Sequence, residues 1–591
     1  MNKLYSFDLF DTLITRELNH PHDVFLCIEA TGKPIYRSIF FKLLPFSKLR
    51  VFSEKVVRKL TRKEDVTIYQ IYKFIGIFLK NSNEMRELEL DIELKVLYPI
   101  HENINFLNRL IADGNKVCIT SDMYLTKNNI FKILKKNNIY VDDVYVSSDI
   151  GLTKASGNLF KYIANQQNID LKDIVHYGDN LHSDIQVPSD LGVKVIHVGS
   201  PKLVKSYNIF DIFKFEGDAL SNVGVRLAGP MAYAFAFHIN KYSKFNTIVF
   251  GARDSYIFKK AYDLFFNNKK TLYTRISRGL VYLPSIFYTK NKSYLLEGGI
   301  TCDEFFQRIN IECPDVFKNK NFHPFAKDID EYLRKINFLE NLNNKAKEIS
   351  LYLEKNGFSN NVEFVDLGWR GSIQDSLKTI FPDINIRGFY IGVLNNSEDK
   401  NGFLFSGRHP SSTYFHIMQS IGYFEFIFTE PTRSIKDVYC INGNYNYIYT
   451  DDEDEKQIKI REKFRIGSEI FFHKFAKLDI EIEEKYLVKS IKKSIKKHMM
   501  FIDENVVTEL KSCSHSAGFN GSLKSSLIGF NDFSIIGYLT APWKAYYMYE
   551  LRKSSILKYY LYLIIFHNIV FFSFYEQFKI LFRKVRMLIR G

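Results

Sequence analysis

Residues 3–7 are a short apolar run that ends in an acidic loop, the pattern of a strand feeding a polar turn. From about 16 to 100 the apolar positions recur at helical spacing, with charged stretches at 53–64 and 84–97. A regular alternation follows. A helix near 104–113 stops at Gly114, a residue suited to closing a helix. Strands are predicted over 116–120, 143–147, 173–177 and 193–198, with helical segments between them. Strands spaced by helices imply βαβ units and a parallel sheet. After a connection at 210–217 a second alternation begins. Its predicted strands are 246–251, 271–276, 362–367 and 387–393, and residues 285–345 form an insertion without a clear period. From about 455 the pattern is helical, 489–497 is strongly basic, and 559–575 is uncharged and apolar.

This pattern predicts an α/β protein in three parts. Residues 1–215 hold the first parallel sheet, with a helical insertion at about 16–100. Residues 216–455 hold a second α/β domain, and 456–591 a helical, basic tail. The 591 residues supply enough apolar material, 46%, for several cores. The net charge of +15 fits AT-rich coding, which favours Lys and Asn, or an anionic partner. No recognisable nucleic-acid motif accompanies it, so no nucleic-acid role is expected. Cys27, Cys118, Cys302, Cys313, Cys440 and Cys513 are scattered. That argues against a disulfide framework or a zinc site and fits a reducing cytoplasm. The early strand leaves no visible signal peptide.

Polar groups able to act on a phosphate ester follow four elements of the first alternation. They are Asp8 and Asp11 in Phe7-Asp8-Leu9-Phe10-Asp11-Thr12-Leu13, Ser121 after 116–120, Lys154 in Thr153-Lys154-Ala155-Ser156, and Asp179 in Gly178-Asp179-Asn180, with Asp184 five residues later. Sites of doubly wound sheets form at the carboxyl ends of strands. A carboxylate nucleophile can divide phosphoryl transfer into two steps through an aspartyl-phosphate. The phosphate repels that carboxylate, so a cation must offset the charge, and Mg²⁺ prefers oxygen ligands. Asp8 and Asp179 can supply two oxygens, and Asp184 a third or a supporting contact. Ser121 and Lys154 can hold the non-bridging phosphate oxygens. Taken singly, each residue reads as a helix cap or a surface charge.

The ordered set resembles the haloacid-dehalogenase (HAD) superfamily over about the first third of the chain. The resemblance implies a Rossmann-like core whose cap is the insertion at 16–100. It further implies Asp8 as nucleophile and metal ligand, the Phe10 backbone carbonyl as another ligand, Ser121 and Lys154 on phosphate, and Asp179 on Mg²⁺. One departure stands out. Family phosphatases carry a second Asp two residues after the nucleophile, where this chain has Phe10, and the acid arrives one later as Asp11.

The second alternation has two loops of its own. The apolar strand that ends at Asp366 leads into Gly368-Trp369-Arg370-Gly371-Ser372, and another strand leads into Arg253-Asp254-Ser255. Glycines allow close backbone approach, a helix start presents free N–H groups, and arginine offers a forked donor. Arg253, Asp254, Asp366, Arg370, Gly371 and Ser372 are therefore candidates for a phosphate or sugar site. The alternative is a pair of tight strand-to-helix turns. The Asp366–Ser372 segment looks like the phosphoribosyl-pyrophosphate loop of phosphoribosyltransferases, although only one acid is present. The whole chain looks like two-domain HAD-type proteins of bacterial capsule and O-antigen clusters. It shares with them Phe-Asp-x-Phe-Asp-Thr-Leu, Ser121-Asp122-Met123-Tyr124-Leu125, Arg-Asp-Ser and Asp-x-Gly-Trp-x-Gly-Ser.

The expectation is a Mg²⁺-dependent phosphatase of a phosphorylated sugar or lipid-linked glycan in surface-polysaccharide synthesis, fused to a domain that transfers phosphoribose from phosphoribosyl pyrophosphate. The alternative is a catalytically impaired scaffold docked at the membrane. The 559–575 segment would be about 25 Å long as a helix, short of the ~30 Å hydrocarbon core. It is a buried helix, a thinned span, or a helix lying on the anionic inner membrane face. The expected location is cytoplasmic, with that inner face as a peripheral site.

Overall fold

A computed structural model describes residues 3–141, 143–199, 203–289, 293–296, 300–358, 360–408, 411–449, 454–517, 523–529, 533 and 543–566. The chain divides into two units: residues 1–214 with 473–490, and residues 215–472 with 491–591. Residues beyond 455 are thus shared between the two units.

The first unit is built on strands β1 (Leu4–Phe7), β4 (Lys116–Ser121), β5 (Asp143–Val146), β6 (Ile174–Gly178) and β7 (Lys194–His197). They form a five-stranded sheet in the order β5-β4-β1-β6-β7, and every pairing is parallel. The chain leaves β1 toward one side through β4 and returns on the other at β6. The β1/β6 junction is therefore the topological switch point, where a crevice opens beyond the strand ends. Leu4, Cys118, Leu159, Ile163, Ile174 and Val193 pack one face of the sheet.

Two short strands, β2 (Ile14–Arg16) and β3 (Leu97–Pro99), pair antiparallel and frame the helical insertion. Between them lie α1 (Asp23–Ala30), α2 (Phe46–Leu60), α3 (Ile68–Ile75) and α4 (Ser82–Val96). Ionic contacts bind these helices together. Arg50 of α2 is fully buried and donates through Nε and Nη2 to Glu89 of α4, both at 2.8 Å. Tyr72 of α3 donates to the same carboxylate at 2.6 Å, and the Arg50 guanidinium lies over Phe25 of α1 at 4.6 Å. The returning segment 473–490 closes the same unit. Phe475 meets Phe210 and Phe213, Lys477 pairs with Glu17 at 2.8 Å, and the Glu483 N–H donates to Ala30 O at 2.9 Å. No sequence pattern announced that return.

The second unit carries β8 (Thr247–Gly251), β9 (Lys270–Thr274), β10 (Asn361–Trp369), β11 (Asn385–Val393) and β12 (Lys400–Ser406), ordered β12-β11-β10-β8-β9. All of its pairings are parallel. Its switch point lies between β8 and β10. The β12 strand was not legible in the sequence. The insertion at 285–345 resolves in part into helices Cys302–Arg308, Ala326–Lys335 and the start of Phe338–Lys355, which share a core of Phe305, Phe306, Ile329 and Leu342.

Of the apolar 559–575 segment, residues 567–575 lie outside the described residues. Residues 559–566 belong to the helix Ile556–Phe566, where Tyr559 and Tyr562 pack on Tyr547 and Leu551 while Leu557 and Tyr560 are exposed. Among the described residues no helix is long and apolar enough to cross a membrane.

The buried Arg50–Glu89 pair gives a direct test of what holds the insertion together. Replacing Arg50 with Met strands Glu89 without its cation, which costs about 3–5 kcal/mol for a buried pair. Denaturant unfolding of the R50M variant is expected to show that loss. A change below about 1 kcal/mol would place the pair among contacts of little consequence.

Candidate active site

The first-unit crevice gathers side chains from four separate stretches of chain. Asp8 follows β1, and its backbone N–H donates to Tyr177 O of β6 at 2.8 Å, which fixes the start of the loop. Lys154 comes from the loop after β5 and is 2% exposed. Its ammonium lies between two carboxylates, 2.5 Å from Asp8 Oδ1 and 2.5 Å from Asp184 Oδ1. Asp122 sets the loop that carries it, accepting from the backbone N–H of Lys154 at 2.8 Å and of Ala155 at 3.2 Å. Asp8, Asp179 and Asp184 each offer an oxygen within 4.8 Å of the others. Gly178 permits this approach, since a Cβ there would sit 2.4 Å from the Asp184 Cβ.

A chain of hydrogen bonds across three strands of the sheet supports Asp184. Thr120 Oγ1 lies 2.7 Å from Ser6 Oγ, Ser6 Oγ 2.9 Å from His176 Nδ1, and His176 Nε2 3.2 Å from Asp184 Oδ1. The order gives the tautomer a reason: with Ser6 donating to Nδ1, the Nε2–H donates to the carboxylate. Burial holds His176 below its usual pKa, so its neutral form is favoured. The Asn180 N–H donates to the other Asp184 oxygen at 3.0 Å.

The electrostatics are uneven. Three carboxylates meet one lysine in a largely dry crevice. Burial first, and then Asp184 and Asp179, push Asp8 up to about 7 against the pull of Lys154. Burial, Asp11 and Asp184 push Asp179 up to about 6. Burial opposes the charge of Asp184 too, but Lys154 and His176 hold its pKa below the usual carboxylate range. Lys154 itself is raised, because Asp8 and Asp184 outweigh its desolvation. The lysine thus satisfies one carboxylate well and leaves the other two short of positive charge.

Ser121 is 1% exposed, and its Oγ has no hydrogen-bond partner; the buried Thr12 Oγ1 is likewise unpaired among the described residues. Unpaired buried hydroxyls are costly; Ser121 ends β4 at this crevice, and Thr12 belongs to the turn that follows Asp8. The donor set of hard oxygens, with its shortage of positive charge, fits a divalent cation such as Mg²⁺. Asp8 and Asp179 would hold it, with Asp184 alongside.

Asp11 lies apart from this pairing. It has a left-handed φ of 58°, its N–H donates to Ile14 O at 2.6 Å, and its Oδ1 accepts from Thr15 Oγ1 at 2.6 Å. Its charge still reaches Asp179. The Phe10 ring lies 4.7 Å beneath the guanidinium of Arg16, which is itself buried against Glu93 at 3.0 Å. Arg16, Ser6 and His176 went unnoticed in the sequence, and Asp122 stood out only as part of the Ser121–Leu125 motif, without a role of its own. Only Asp122, next to Ser121, carried a local signal.

In the second unit, Asp366 lies within β10, which runs on to Trp369 rather than ending at Asp366, and Asp254 follows the neighbouring strand β8. Burial and then Asp254 raise Asp366 to about 7, and burial and then Glu425 raise Asp254, with Arg253 pulling against them. Asp254 accepts from Thr429 Oγ1 at 2.7 Å, and Arg253 Nη1 donates to Thr432 O at 3.0 Å. Gly371 caps the helix Ser372–Ile380 with a left-handed φ of 71°. Arg370 lies in the same loop, and its carbonyl accepts from Lys400 Nζ at 3.3 Å.

No family model matches the chain, and no curated protein matches it. Solved structures match about a third of it. A HAD-family enzyme from Bacteroides thetaiotaomicron, solved with magnesium and inorganic phosphate, is 17% identical, with 35% of this chain and 98% of that one covered and a TM-score of 0.24. An L-2-haloacid dehalogenase from Xanthobacter autotrophicus with chloropropionic acid covalently bound is 12% identical, covering 34% and 78%, with a TM-score of 0.24. A further L-2-haloacid dehalogenase is 11% identical, covering 36% and 97%, with a TM-score of 0.25.

The raised carboxylates set a pH dependence. Folded Asp8 and Asp179 keep protons that the unfolded chain releases near 3.8. Their effect therefore favours the folded state at low pH, and that contribution is lost as pH rises toward about 6 and about 7. A cation competes with those protons. Mg²⁺ is expected to raise the melting temperature more at about pH 7.5 than at about pH 5. Equal shifts at both values, or the same shift in Asp8→Asn, would contradict the assignment.

Proposed function

We propose that the first unit is a Mg²⁺-dependent phosphatase that acts on a phosphorylated sugar or glycan. The observation that carries this reading is the meeting of Asp8, Asp179 and Asp184 around Lys154 at the switch point, beside the unpaired Ser121 hydroxyl.

Asp8 Oδ attacks the phosphorus of the monoester while the bond to the sugar oxygen breaks, leaving an aspartyl-phosphate and an alkoxide that takes a proton. Water then attacks the phosphorus, the acyl-phosphate bond breaks, and the Asp8 carboxylate is restored. Lys154 and Ser121 hold non-bridging oxygens whose charge shifts during the transfer. His176 and the Asn180 N–H fix Asp184, which in turn fixes Lys154. A bound Mg²⁺ would neutralise the charge shared by phosphate and carboxylates. Asp11 is the carboxyl group in this loop that can pass the proton, once it leaves Thr15. Such help is worth about 10²–10⁴-fold.

The reading extends to surface-polysaccharide assembly through the motifs shared with capsule-cluster proteins. A phosphoribosyl-transfer role for the second unit is supported by the acid and glycine-flanked loop at Asp366–Ser372. Docking on an anionic membrane face is supported by the exposed Leu557 and Tyr560, followed in sequence by Lys579, Arg583 and Lys584. A scaffold without catalysis is favoured by one observation: Phe10 replaces the usual acid, and Asp11 is engaged by Thr15.

A colorimetric screen of sugar phosphates separates these readings. The wild-type chain is expected to release phosphate only with Mg²⁺, Asp8→Asn to release none, and Asp11→Asn to lose about 10²-fold or more in kcat. Phosphate release that survives Asp8→Asn would refute the nucleophile. Absence of release from every ester would favour the scaffold.

A further inference from the structure

The second sheet has a feature that the phosphatase reading does not use. At the carboxyl end of the sheet, alternate residues of three adjacent strands line up on one face. Val249 of β8, Leu272 of β9 and Phe364 of β10 pack into the same core. The next positions on that face are Gly251, Thr274 and Asp366, with Gly251 paired to Thr274 and Val365 to Phe250 in the register. The row therefore runs Asp366, Gly251, Thr274 across the β8/β10 switch point and onto β9. Gly251 contributes no side chain to it.

The two polar members of this row lack full partners. Thr274 is 1% exposed, and its Oγ1 makes no hydrogen bond among the described residues. A hydrogen bond to the Asp366 carboxylate comes from the adjacent Leu367 N–H at 2.8 Å, and among the described residues it forms no ion pair. The other acids of the crevice are engaged: Glu425 accepts from Trp369 Nε1 at 2.9 Å, Asp254 from Thr429, and Glu430 from Tyr273 at 2.8 Å.

Two helices cover this face of the sheet. Leu280 and Val281 of Arg278–Thr289, and Leu377 and Ile380 of Ser372–Ile380, share the core beneath them. Each helix follows a stretch that continues from a carboxyl strand end, so their N-termini lie at the row. Arg278, the first residue of one, bears on Asp366 electrostatically. The other begins after Arg370 and Gly371. At Gly371 a Cβ would meet the Lys400 Cε at 2.9 Å and the Tyr390 hydroxyl at 3.0 Å, so the loop stays closely packed. Free N–H groups and arginine suit an anion. A carboxylate held by one backbone N–H and an unpaired hydroxyl suit the hydroxyl groups of the same ligand.

We propose that this crevice is a second ligand site, which takes a phosphorylated sugar: hydroxyls bond to Asp366 and Thr274, and the phosphate rests at the start of Ser372–Ile380 beside Arg278 and Arg370. The site stands whether or not the first unit hydrolyses phosphate esters. It supplies ligand contacts for the transfer role suggested above.

Titration calorimetry on the full chain tests it. The Asp8→Asn background prevents turnover, and EDTA keeps the first site free of metal. The probes are ribose 5-phosphate, glucose 6-phosphate, ribose and inorganic phosphate. Saturable binding of one sugar phosphate is expected, at least about tenfold tighter than ribose or phosphate alone. Asp366→Asn is expected to weaken it by about tenfold or more, and the near-isosteric Thr274→Val by about threefold to tenfold. Both variants are expected to retain the Mg²⁺-dependent phosphatase activity of the first unit when Asp8 is intact. Absence of saturable binding would overturn the proposal. So would binding that neither substitution weakens, since that ligand would sit elsewhere, or phosphate binding as tightly as the sugar phosphate. Should Asp366→Asn fail to fold, an unchanged affinity in Thr274→Val alone decides against it.

Discussion

One buried ammonium shared by too many carboxylates organises the first unit. Lys154 touches Asp8 and Asp184 at 2.5 Å each, and Asp179 lies within the same small cluster. Charges in a low-dielectric crevice must be paired or protonated. A single lysine cannot neutralise three acids, so Asp8 and Asp179 are raised. The remaining demand is for positive charge, which a divalent cation would meet.

The fold makes this concentration of charge affordable by distributing its supports. Parallel pairing of β1 with β4 and β6 brings Asp8, Ser121 and Asp179 to one edge from distant parts of the chain. The Thr120–Ser6–His176 chain runs across three strands and ends on Asp184, so the carboxylate that holds Lys154 is itself held. The Asp122 carboxylate fixes the Lys154 loop from the other side. Each support lies in or beside a strand, which makes the constellation as rigid as the sheet. The second sheet repeats the principle with different chemistry. Its switch point lies between β8 and β10, and its polar row lacks a lysine at its centre.

Both sheets were largely legible in the sequence because their strands are short apolar runs separated by helical periods. Strands predicted at 116–120 and 362–367 occupy Lys116–Ser121 and Asn361–Trp369. Other features carried no such signal. The β12 strand reads Lys-Asn-Gly-Phe-Leu-Phe-Ser, too polar at its start to stand out. The pairing of residues 473–490 with the first unit is a contact between distant segments, which periodicity does not encode. Asp8, Ser121, Lys154 and Asp179 were noticed because polar groups after apolar strands are conspicuous. Ser6 and His176 lie within strands, and Arg16 acts by stacking on Phe10, so their roles required coordinates.

The meeting of a cation and a phosphoryl group at Asp8 is open to direct observation. A crystal structure of the full chain soaked with Mn²⁺ and beryllium fluoride addresses it directly, because manganese reports its position by anomalous scattering. The expectation is one anomalous peak bound by oxygens of Asp8 and Asp179, with a fluoride adduct on Asp8 and Lys154 turned toward the fluorides. A map without that peak, or with Lys154 still clamped between Asp8 and Asp184 and no adduct present, would contradict it.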